Sequence, residues 1–159
     1  MDREARALLK SIIGLLERMS RCLTDLSPDE LNWRPPTAGS NSLYVLGTHV
    51  LGNAEAWILG IALGRPIRRD RPAEFAAVGS NPATLIAGAI ELGRTLTETV
   101  TPLAEALDQE REPSSELWGE GQPRRVTVRE CLLHVIEHAA EHIGQMELTR
   151  DLVRAERSG

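Results

Sequence analysis

Three of the chain's four histidines fall in one short run, His134-Val-Ile-Glu137-His138-Ala-Ala-Glu141-His142. On an α-helix a step of four residues advances about 40° round the axis, so the three rings project from one stripe. Cys131, Val135, Thr149 and Val153 share that side and His134 lies at its edge, so His138 and His142 sit amid an otherwise apolar face. An imidazole with core neighbours needs a partner, and two of them at i,i+4 form half of a metal site. His49 supplies a third nitrogen if its helix faces theirs. Three imidazoles with one open position are the arrangement of a catalytic rather than a structural zinc site. Such an open position holds a water or an anionic sulfur and lowers its pKa toward neutrality.

A lone histidine on an apolar face is ordinarily a core residue bonded to backbone or water. The i,i+4 pair with a third ring available weighs against that here. His134, a turn further back, is the weaker member, with a pocket-lining role or plain exposure expected. Asn53, one turn beyond His49, and Gln145, near the azimuth of His138, are further pocket candidates, and Trp33, Trp57 and Trp118 are candidates for its walls. A rival lies in the same letters, because His134 to His138 and His138 to His142 both read His-x-x-Glu-His, the inverted zincin signature. That chemistry takes another acidic ligand well downstream, and too little of this sequence follows His142 to provide one.

The elements that must position these rings are helices. Leu8, Leu9, Ile12, Ile13, Leu16, Met19, Leu23 and Leu26 recur at three-four spacing and predict a first helix from residue 2 to about 26. Ser27-Pro28-Asp29-Glu30 predicts a short capped turn, and Asn41 or Ser42 a cap for a second long helix ending near Leu63. That helix is apolar nearly all round, so it is buried on more than one side. Residues 65–80 read as a long irregular connection, with Arg65, Arg68, Arg69 and Arg71 as a solvated basic run. Asn81-Pro82 predicts the start of a third helix to about Leu107, interrupted near Thr101 by Pro102. A loop follows, and Thr127-Val-Arg-Glu130 is a capping box that opens the fourth helix. The expected fold is an all-α four-helix bundle with long crossover connections, one domain over residues 1–159.

Few aromatics and 42% apolar residues suit a core of Leu, Ile, Val and Ala, and a net charge of −5 gives no basic face for nucleic acid. No run reaches transmembrane length. Cys22 and Cys131 number too few for a disulfide scaffold, and with no signal-peptide pattern they lead us to expect a cytoplasmic protein. Leu132, Ile136 and Ile143 form a second apolar face on the last helix, from which we expect a homodimer.

The run from Thr127 to Gln145, and Leu31-Asn-Trp33-Arg-Pro35 followed by Asn41 to His49, resemble the DinB-like four-helix-bundle superfamily across essentially the whole chain. That superfamily includes mycothiol-dependent maleylpyruvate isomerases and other enzymes of small bacterial thiols, and is unrelated to the translesion polymerase of similar name. The resemblance implies a metal triad at His49, His138 and His142. It also implies a divalent transition metal, zinc or nickel, a low-molecular-weight thiol as cosubstrate, a small-molecule substrate, and transferase or isomerase chemistry. The isomerase branch carries Glu at the position of His138, which turns the expectation away from that substrate. The alternatives are a metal-dependent hydrolase on the same site and a non-catalytic metal-binding or dimerisation module.

Overall fold

The apolar spacings become four long helical stretches in the computed structural model, which describes residues 2–157. Helix α1 (Asp2–Leu23) turns Leu9, Ile12, Leu16, Met19 and Leu23 into the core, and it stops short of Leu26 where Asp25 adopts a left-handed φ of 58°. The short α2 (Pro28–Asn32) opens on a capping box between Ser27 and Glu30 with Pro28 in its first turn. Helix α3 (Leu43–Glu55) is capped by Ser42, whose hydroxyl accepts from the Val45 amide, and it continues in π geometry over Ala56–Ala62. π segments are rare and concentrate at functional sites, and this one begins just past His49 and Asn53.

The connection expected to be irregular contains α4 (Arg71–Phe75), capped by Asp70 through the Ala73 amide. The predicted third helix is two, α5 (Ala83–Glu98) and α6 (Val100–Ala106). The break falls at Thr99, slightly ahead of the expected Thr101. Pro102 has no N–H for the carbonyl four residues back but is tolerated in the first turn of a new helix. The following loop holds α7 (Ser115–Trp118) and two short antiparallel strands, β1 (Glu110–Arg111) and β2 (Val126–Thr127), a ladder the periodicity does not reveal. Helix α8 (Val128–Arg157) opens on the predicted box: the Thr127 amide donates to Glu130 Oε2 at 2.7 Å and the Glu130 amide to Thr127 Oγ1 at 3.1 Å.

Helix α1 packs against α8, α5 and α6, while α3 and its π continuation pack against α8. The result is an all-α four-helix bundle with long crossovers. Because α8 has neighbours on two sides, both of its apolar faces are used within the chain. Leu132 and Ile143 are fully buried and Ile136 packs against the core, so the face expected to meet a second copy is internal. Ile143→Ala should lower unfolding stability by about 2–5 kcal/mol in urea titration. A change in self-association at unchanged stability would contradict that placement. Cys22 and Cys131 are buried and unpaired, and burial pushes the Cys131 thiol up to about 12. Among the described residues no helix is long and apolar enough to cross a membrane.

Candidate metal centre

Helix α3 delivers His49 and α8 delivers His138 and His142 to one point. The Nε2 atoms of His49 and His138 are 3.0 Å apart, although 89 positions separate the residues in the chain. Ring centroids lie 5.0 Å apart for His49 and His142 and 4.5 Å for His138 and His142. One ligand nitrogen from each of the three lies within 4.8 Å of the other two. Nitrogens bound at about 2.0–2.1 Å to a tetrahedral ion sit on the order of 3.3 Å apart, so the cluster has the size and donor chemistry to hold a divalent transition metal. His49 is buried, and the other two are half-buried. Burial, reinforced by the neighbouring imidazoles, pushes His138 down to about 2, so at neutral pH it is an uncharged ring with a lone pair to give.

Two of the three rings have a fixed orientation. His49 Nδ1 donates to Glu74 Oε2 at 2.7 Å, and Phe75 packs on the same ring with centroids 4.5 Å apart. Both come from α4, the helix that sequence periodicity leaves unassigned. Glu74 also takes Arg69 Nε at 2.8 Å and Nη2 at 3.1 Å. Burial works to raise the Glu74 carboxyl, but the hydrogen bonds and charge of His49 and Arg69 outweigh it and hold the group below the usual carboxylate range. Arg69 is therefore buried, whereas Arg65 and Arg68 are exposed, and the expectation of a wholly solvated basic run fails at Arg69. Its partner is the Glu74 carboxylate five positions on, which is itself drawn inward by His49, 25 positions away from it. On the other side, His142 Nδ1 donates to Gln145 Oε1 at 3.0 Å, which leaves Gln145 exposed and engaged with a ring.

A pocket of about 390 Å³ opens over His49 and His138, with Asn53, Trp57, Trp118 and His134 on its walls. His134 stacks on Trp57 with centroids 3.8 Å apart, and Asn53 Nδ2 donates to His134 Nε2 at 3.4 Å. Burial brings His134 down to about 4, with the Arg69 charge adding to the effect. Trp118 completes the aromatic wall 5.0 Å from Trp57. Trp33 does not join it: it lies beside Asp29 and Val153 in a separate groove, carried there by the turn after α2. Asn53 Oδ1 and Trp57 Nε1 are buried and have no hydrogen-bond partner among the described residues. At the rim, Arg71 pairs with Glu120 at 2.8 Å and Arg124 with Glu130 at 3.1 Å.

An all-α bundle with long crossovers is the fold of DinB-like proteins, and solved structures agree on it. A DinB-like protein from Bacillus cereus superposes with a TM-score of 0.68 at 16% identity, covering 92% of this chain and 91% of its own. A conserved protein from Enterococcus faecalis gives 0.66 at 19% identity, covering 94% and 96%. A DinB-like protein from Bacillus subtilis gives 0.60 at 20% identity, covering 94% and 91%. More specifically, the chain belongs to the mycothiol-S-transferase family, whose model matches residues 7–155. No curated protein matches it.

Proposed function

We propose that the protein is a divalent-metal-dependent thiol S-transferase working at His49, His138 and His142. The observation that carries this reading is the convergence of three ligand nitrogens within 4.8 Å under an open pocket, in a chain of the mycothiol-S-transferase family. A bound zinc or nickel ion supplies an electrophilic position that keeps a thiol deprotonated at neutral pH. The family's name points to mycothiol as the thiol, and buried unpaired Cys22 and Cys131 support the reducing cytoplasm as its compartment.

The chain's own contribution is positional. Imidazole ligands add no negative charge to the centre, so an anionic sulfur meets no repulsion from them. Trp57 and Trp118 exclude water from one side of the pocket. The unpartnered Asn53 Oδ1 and Trp57 Nε1 offer one acceptor and one donor where a polar group beside the sulfur can be received. With a conjugate acid near 4, His134 is a poor proton acceptor from a thiol. It serves as a neutral wall that holds Asn53 and Trp57 in place, and the proton leaves through the pocket mouth.

Incubating the metal-loaded protein with small thiols and a chromogenic aryl halide tests this. Thiol consumption should exceed the protein-free rate by about tenfold or more, which corresponds to only about 1.4 kcal/mol of barrier. It should be lost with a chelator and in His49→Ala. Metal uptake with no such rate would show a non-catalytic module, and thiol-independent hydrolysis by the loaded protein would show a hydrolase.

A further inference from the structure

An imidazole carries its proton on either nitrogen and can turn its ring over, so only some of its states present a bare Nε2 to a metal. For His49 the surroundings choose among them. A carboxylate is an acceptor only, so Glu74 Oε2, 2.7 Å from Nδ1, requires a proton there, and in the neutral ring the bare nitrogen is then Nε2, which faces His138. The contact is largely shielded from solvent, the His49 and Glu74 side chains being 4% and 8% exposed. The carboxylate is itself held by Arg69, 3% exposed at its side chain, through Nε at 2.8 Å and Nη2 at 3.1 Å. Arg69 is anchored in turn to the pocket wall, since its amide donates to Glu116 Oε1 at 2.9 Å in α7. The α3 backbone comes close at Gly52, where a Cβ atom would lie 2.5 Å from Glu74 Oε1.

We infer that Glu74 and Arg69 are positioning residues for His49: the carboxylate selects the tautomer and ring orientation that can ligate, and the guanidinium keeps the carboxylate in place. The inference rests on the metal reading of the cluster and adds to it two residues outside the ligand set, of which Arg69 also lines the pocket. It makes the loop between α3 and α5 part of the site.

Titrating the metal-free protein with zinc alone, in a competing chelator, tests it. Glu74→Ala should weaken zinc binding by about 10–100-fold, the range for losing a partner of a ligating histidine. Glu74→Gln, whose amide oxygen still accepts from Nδ1, should recover much of that loss. Gly52→Ala, which displaces the carboxylate without removing it, should weaken binding in the same direction. Nitrogen NMR of labelled imidazoles in the metal-free protein gives a second reading. Wild-type His49 should be protonated on Nδ1 alone, and Glu74→Ala should shift it toward a mixture of tautomers. Zinc affinity within about threefold of wild type in both Glu74→Ala and Gly52→Ala, with the His49 tautomer unchanged, overturns the inference. If Glu74→Ala does not fold, Gly52→Ala and Glu74→Gln decide by the same two measurements. A wild-type protein that takes up no zinc would instead defeat the metal reading, and the tautomer would still show whether Glu74 governs His49.

Discussion

Replacing His138 with alanine should abolish stoichiometric metal binding. His138 meets both other rings, its Nε2 3.0 Å from that of His49 and its centroid 4.5 Å from that of His142. The remaining nitrogens come from different helices and cannot both hold one ion as firmly. Apparent binding energies of about 10–16 kcal/mol for four-ligand zinc sites imply roughly 3–4 kcal/mol per ligand, hence a loss on the order of 10²–10³-fold. Metal analysis of protein purified without a histidine tag should give about one equivalent for wild type and less than a tenth for His138→Ala. The control is His134→Ala, four residues earlier on the same helix. Its ring is stacked on Trp57 and bonded to Asn53, so it should keep full occupancy. Equal losses from both replacements would mean that the ligand set is wrong.

The second large effect is acid sensitivity of the metal-free protein. His134 and His138 have folded pKa values of about 4 and about 2, against 6.5 for the ordinary group, because burial disfavours their charged forms. The sign follows from proton uptake. As pH falls through 6.5 the unfolded chain binds protons that the fold refuses, so stability drops and goes on dropping until the folded values are reached. Each fully buried group would contribute up to about 1.4 kcal/mol per pH unit. After discounting for partial exposure, the two together should remove roughly 2–4 kcal/mol between pH 6.5 and 4.5. Glu55, raised by burial and by nearby Glu74, opposes this slightly near the lower end. Carboxylates held low, such as Glu74, take effect only further down. Urea midpoints at pH 7 and pH 5 measure the drop, and a variant with glutamine at both positions 134 and 138 should flatten it. An equal drop in that variant would place the acid sensitivity elsewhere.

The residues used in these two tests were legible in different degrees. His138 and His142 stand out because an i,i+4 pair on one helical face is a local pattern, and helix geometry converts spacing directly into direction. The Thr127–Glu130 box and the break caused by Pro102 are local in the same sense, since each concerns bonds within a single turn. Glu74 and Arg69 gave no such sign. A short stretch with four arginines around Asp70 has the same composition whether it is solvated or folded under, and only the 25-residue span back to His49 supplies the contact that buries it.

The apolar faces of α8 show the same limit from the other direction. Periodicity says that Leu132 and Ile143 must be covered but is silent on what covers them. Packing of α8 against both α1 and α3 puts the chain's own core there. By itself, then, the sequence determined four helical stretches, their caps, and the residue types able to bind a metal, because turn-by-turn hydrogen bonding and hydrophobic spacing act over a few positions. Only the tertiary structure decided that His49 faces the last helix, that α4 supplies its carboxylate, and which tryptophans wall the pocket. Those contacts depend on how distant segments cross, and that is settled by burial of the whole core at once.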